Sequence, residues 1–218
     1  MFVVARSKVF VFFLLISSVV LSQKKVLKKF ETQSKEIEIS TLGLDDLVIE
    51  NSTSNFVEVY LIAENVADQQ IVSKEAYGLL KIQFKIPENI TEEKVFRKFI
   101  TERLHRASVV IKIPKNKKIT IFGDEINIET KSYQGDLNIY IEKGILKLHT
   151  IYASLRVKMY AGNLYAAVNK ANIDIVSKKG KIKINDVIVE NLHQKKEEKS
   201  DEMISINSIK ANIFLTTQ

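Results

Sequence analysis

The chain has 218 residues, 33 Lys and Arg against 26 Asp and Glu, two prolines, no tryptophan and no cysteine. Without cysteine there can be no disulfide, thiol nucleophile, zinc–thiolate centre or acylated-cysteine lipid anchor. The length suits one full-sized core, and the Ile, Val and Leu bias is that of a β-rich chain.

Residues 1–22 read as a signal peptide. Arg6 and Lys8 precede the apolar run Val9–Ile16, which continues through Val19-Val20-Leu21. This is short for a membrane-spanning helix, which needs ~20 apolar residues, and fits a cleaved leader. Cleavage is expected before Gln23, with an uncleaved anchor as the alternative. The mature chain then carries 31 basic and 26 acidic residues, a net charge of +5. An exported chain of this kind belongs in the periplasm, at the cell surface or outside the cell, and the lack of disulfides favours a bacterial source.

From Lys24 to Glu31 the chain is a charged lead-in. Alternating patterns then predict strands at Lys35–Ser40, Leu47–Ile49 and around Val57 and Val59, with irregular spacing between them. Leu79–Ile86 is a further strand, stopped by Pro87. In the 88–106 insertion, Val95, Phe96, Phe99, Ile100 and Leu104 recur at helical spacing, with acids first and bases last. A short amphipathic helix is expected there, with a β-hairpin as the rival. Phe96 and Phe99 are its candidate contacts for a protein partner. Alternation returns at Ala107–Pro114, Lys118–Phe122, and Ile126 with Ile128.

Residues 136–185 then count in nines: DLNIYIEKG, ILKLHTIYA, SLRVKMYAG, NLYAAVNKA, NIDIVSKKG, KIKIN. The second position is Leu or Ile and the fourth is aliphatic in every unit. Gly135, Gly144, Ala153, Gly162, Ala171 and Gly180 precede the units. An i, i+2 aliphatic pair is a half-buried strand segment, and a small residue suits the corner after it. A fixed step of this kind marks units that bury their faces only by stacking. The expected fold is all-β, a single parallel β-helix or β-solenoid with two units, eighteen residues, per coil. Six strands of an antiparallel sandwich are the alternative. Ile119 to Leu137 is also a step of eighteen, so the coil length should already operate there.

Beyond Asn185 the register breaks. Residues 191–202 (NLHQKKEEKSDE) read as a solvated loop. Ile204, Ile206 and Ala211–Leu215 resemble Ala171–Ile175, so a final strand is expected to close the stack.

Chemistry-bearing patterns are sparse. His105, His149 and His193 lie in separate contexts without metal-ligand spacing, and read as surface or rim residues. The corners lack the Gly and Asp of calcium-binding nonapeptide rolls. Asp136, Glu142 and Asp174 do not space as a paired-carboxylate glycosidase requires, and no nucleotide-binding or hydrolase fingerprint occurs. No catalytic residue, metal or cofactor is expected, nor a nucleic-acid partner.

The outward third position holds Asn138, Lys147, Arg156, Tyr165, Asp174 and Lys183. With two units per coil, Lys147, Tyr165 and Lys183 stack on one face. They form, with Arg156, the candidate binding face, with Tyr140, Tyr152 and Tyr160 nearby. Between Lys131 and Asn185 ten basic residues face three acids. Tyrosines with basic neighbours can serve a sugar- or polymer-binding surface, though ordinary solvated strand residues would look the same.

The ASVVIKIP strand, the KITIFGDEINI segment and the short (small)-x-(L/I)-x-(V/I/L) units resemble the bacterial putative adhesin family of β-strand repeats, related to auto-transporter adhesin head domains. The resemblance spans roughly Ser34–Leu215. It implies a right-handed parallel β-helix with a surface-adhesion role, and carries over no catalytic residues. This chain is richer in Lys and Tyr than that family's GxVxV units, and the 88–106 segment is its own. The expected function is therefore non-enzymatic binding, to a cell-surface glycan or an envelope protein. An envelope assembly role and a polysaccharide-acting enzyme are the alternatives.

Overall fold

The computed structural model describes residues 24–63, 70–85, 107–198 and 200–217. They hold sixteen strands in one mixed sheet and no α-helix. The expected signal peptide and the 88–106 insertion, with Phe96, Phe99 and His105, lie outside the described residues.

The strands are β1 (Lys24–Glu31), β2 (Glu36–Ser40), β3 (Leu44–Asn51), β4 (Phe56–Ala63), β5 (Ile71–Ala76), β6 (Leu79–Phe84), β7 (Ala107–Ile113) and β8 (Lys118–Glu125). Then come β9 (Asn127–Lys131), β10 (Leu137–Ile151), β11 (Leu155–Val168), β12 (Asn172–Ser177), β13 (Ile182–Ile184), β14 (Val187–Val189), β15 (Leu192–Lys195) and β16 (Met203–Thr217).

The eighteen-residue step operates as read. Leu137 pairs with Ile119 and with Leu155, and Leu146 with Ile128 and Leu164, all in parallel. Successive rungs therefore put like on like. One inward column runs Val109, Leu47, Ile128, Leu146, Leu164, Ile213, Ile182, all at most 1% exposed. Another runs Ile39, Ile121, Ile139, Val157, Ile206, Ile175, equally buried. Burying each such side chain is worth ~1.5–3 kcal/mol, so these columns are the main cohesive element.

The order of rungs departs from the order of the chain. β16 does not close the stack. It lies between β11 and the β12–β13 pair, with Ile204 opposite both Leu155 and Ile173. The reason is its own pattern: Ile204 and Ile213 are nine apart with aliphatic partners at Ile206 and Leu215, so β16 is a complete rung. Likewise β2 and β3 lie between the rung made by β6 and β7 and the rung made by β8 and β9.

Parallel pairing also fails at both ends of the sheet. There β4 runs antiparallel to β7 and β1 to β4, while β5 is antiparallel to β6. At the opposite end β15 and β14 run antiparallel to β12 and β13. A short hairpin return is the way a chain can cover a terminal rung without another crossover. The 191–202 run, read as a loop, contributes Leu192–Lys195 as β15, and the lead-in is the edge strand β1.

Irregular residues between β9 and β10 are tied by Tyr133, which is 3% exposed. Its hydroxyl lies within bonding distance of the Pro114 and Lys117 carbonyls, at 3.1 and 2.9 Å. Burial pushes this phenol well above its usual pKa.

Candidate functional site

The outward third positions form two columns, as an eighteen-residue step requires. Lys147 pairs with Tyr165, Tyr165 with Phe214, and Phe214 with Lys183. The expected neighbours Tyr165 and Lys183 are thus separated by Phe214. Arg156 belongs to the other column, between Asn138 and Ser205.

Because β11 and β16 are in register, the Tyr165 and Phe214 rings stack with centroids 4.8 Å apart and planes 8° from parallel. That spacing is the inter-strand distance itself. The rings face each other, so their edges form the exposed ridge, and Tyr165 is 43% exposed. A second pair, Phe122 and Tyr140, stacks in the same way at 5.3 Å and 15° on β8 and β10. Tyr160 instead lies under Lys210, whose ammonium is 5.2 Å from the ring centroid, and Tyr152 lines a separate surface groove with Lys170 and Glu202.

Beside the Tyr165–Phe214 ridge is a groove of about 400 Å³, lined by Lys147, His149, Tyr165, Ala167, Phe214 and Thr216 among others. Local pairing explains it. The β10–β11 register slips between Leu148 and Thr150, leaving His149 unmatched. Such a bulge re-aims its side chain, and His149 Nε2 lies 3.1 Å from Glu129 Oε1. The small Ala167 opposite Thr150 leaves the floor open.

The column is less basic than composition suggests. Lys183 is bound to Asp186 at 2.8 Å, which holds the Asp186 carboxyl below its usual pKa. Glu129 stands opposite Lys147 in the register and is hydrogen-bonded to His149. Lys147 makes no ion pair among the described residues.

Two acids of the repeat, Asp136 and Asp174, serve structure. Asp136 Oδ1 accepts from the Ser154 N–H at 3.1 Å, and Asp174 Oδ1 from Gln194 Nε2 at 3.1 Å. His193 is half-buried opposite Ile175 in β15. Among the described residues no group of three or more His, Asp or Glu side chains could hold a metal ion.

Phe214 and Phe122 were not singled out in the sequence. Phe214 could have been: in Ala211-Asn212-Ile213-Phe214-Leu215 it stands third after a small residue, where Lys147, Tyr165 and Lys183 stand. Phe122 lies before the regular repeat, where only the register with Tyr140 reveals it.

No protein-family model matches the chain, and no curated protein matches its sequence. Solved structures do. A "putative cell adhesion protein" from Clostridium sporogenes is 14% identical over 90% of this chain and 100% of its own, with a TM-score of 0.58. A "putative adhesin" from Bacteroides fragilis is 12% identical over 90% of this chain and 98% of its own, at a TM-score of 0.34. The first of these shows a shared fold across nearly the whole chain.

Proposed function

We propose that the protein is an exported, non-enzymatic binding protein in which a β-solenoid presents its outer columns to a partner at the cell surface, in adhesion or envelope association. The constant eighteen-residue register of β8 through β11 supports the solenoid winding. The fold shared with a protein named for cell adhesion supports the role. The observation that carries the reading is the Lys147–Tyr165–Phe214–Lys183 column with its groove.

Physically, the column is a rigid platform. Each of its side chains stands on a strand paired on both sides, so little ordering cost remains on binding. The stacked rings offer edges rather than free faces, which suits a ligand lying along the column more than a single sugar stacked on one ring. Lys147 supplies a donor that an acidic glycan or carboxylate would satisfy. The experiment is binding of the chain to glycan arrays and whole cells, with Tyr165→Ala and Phe214→Ala compared. Loss of binding in both variants supports the reading; binding that is absent from the parent, or equal in the variants, rejects it.

A further inference from the structure

The two ends of the sheet are finished differently. At one, the outermost strand β1 carries Lys24, Lys25, Lys28 and Lys29, a common device against edge-to-edge association. At the other, β14 is Val187-Ile188-Val189, carries no charge, and pairs only with β13. Val187 is 64% exposed, Ile188 68%, and Leu192 on the adjacent β15 54%. Ile188 stands opposite Lys183, so it ends the Tyr165–Phe214 column. Three large aliphatic side chains within six residues, each more than half exposed, are unlike the scattered apolar residues of an ordinary surface.

The neighbouring corner is basic. Between β12 and β13 run Lys178, Lys179, Gly180 and Lys181, the three lysines all exposed. None of them makes an ion pair among the described residues. The corner is tied to the next rung, whose Ser208 and Ile209 carbonyls accept from the Lys178 and Lys179 N–H groups. In the loop before β16, Glu197 and Glu202 bond Asn172 through their backbones, at the other end of β12 from the lysines. Of the two exposed acids that flank β14, Asp186 is paired with Lys183, and Glu190 is outnumbered by the three corner lysines.

We propose that this end of the sheet is a peripheral contact for an anionic bilayer surface. Val187, Ile188 and Leu192 enter the boundary between headgroups and acyl chains, while Lys178, Lys179 and Lys181 meet the headgroup charge. The charge selects this occupant. A second copy docked tip to tip would set the lysine corners against each other, and a neutral glycan has no use for three exposed aliphatic side chains.

The test is flotation with vesicles of phosphatidylcholine alone and of phosphatidylcholine with phosphatidylglycerol in equal parts. The chain from Gln23 is used, because every described strand and core residue follows that position. The chain is expected to float with the anionic vesicles only, and to be released by high salt. Val187→Asn/Ile188→Asn and Lys178→Glu/Lys179→Glu/Lys181→Glu should each weaken partition by about tenfold or more. Their thermal unfolding midpoints should match the parent's, since these side chains are exposed. Failure of the parent to float overturns the proposal, as does equal flotation of both variants. So does a concentration-dependent dimer that Val187→Asn/Ile188→Asn abolishes while no vesicle is bound. Glycan-array binding through Tyr165 can fail or succeed independently, so the two readings are separately rejectable.

Discussion

A Cβ placed on Gly162 would lie 1.9 Å from the carbonyl oxygen of Gly144, one rung away. Gly162 also has φ +125°. Close backbone approach at this corner is therefore what lets β10 and β11 each pass through a corner without losing their pairing, Gly144 opposite Gly162. Gly162→Ala should cost several kcal/mol, on the order of 3 or more, because backbone cannot move aside as a side-chain tip can. Gly78 is the control: at φ +76° with nothing within 4 Å of an added Cβ, Gly78→Ala should cost only about 1 kcal/mol. Equilibrium denaturation of both variants checks the contrast, and equal costs would contradict it.

Thr130 is fully buried in a third inward column, between Ile49 and Leu148, and its hydroxyl has no hydrogen-bond partner among the described residues. A buried hydroxyl left unpaired costs ~1–3 kcal/mol. Thr130→Val keeps the shape and removes the polar group, so it should raise stability by roughly 1 kcal/mol. A lower unfolding midpoint for Thr130→Val would show the hydroxyl to be satisfied.

The Tyr165–Phe214 pair joins strands 49 residues apart in the chain. A double-mutant cycle with Tyr165→Leu and Phe214→Leu should show a coupling of about 0.5–1.5 kcal/mol in unfolding free energy. The equivalent cycle between Tyr165 and Lys183, which Phe214 separates, should be close to zero. Coupling in the second cycle and none in the first would contradict the rung order.

Glu75 Oε1 accepts from Thr32 Oγ1 at 2.9 Å and from the Ser34 hydroxyl and N–H at 2.5 and 3.1 Å. These bonds, the Ser34 hydroxyl first, hold its carboxyl below the usual pKa. A depressed carboxyl contributes stability that is fully present above its unfolded pKa and is lost as pH falls through the folded one. Acid should therefore loosen the tie between β5 and the segment leading into β2. Glu75→Gln should lower stability at neutral pH, where the carboxylate's contribution is present, and flatten the fall in stability below the ordinary carboxylate range, so that the two proteins converge in acid. An acid limb identical to the parent's would reject this.

Much of this was legible in the residues themselves. The i, i+2 aliphatic pairs and the small corner residues depend only on strand alternation and on local crowding, so the inward face, the corners and the eighteen-residue step from Ile119 through Leu137 to Leu155 could be read directly. The outward position of Lys147, Tyr165 and Lys183 follows from the same alternation. What alternation cannot specify is which rung meets which. Ile204 and Ile206 carry the same pattern as Ile173 and Ile175, so every rung is an acceptable neighbour for every other on burial alone. Only the folded arrangement put β16 beneath β12, set Phe214 between Tyr165 and Lys183, and left Val187 and Ile188 uncovered at the end of the sheet. Burial of a repeated pattern determines the face a side chain takes; the closure of loops and the antiparallel returns at each end determine its neighbours.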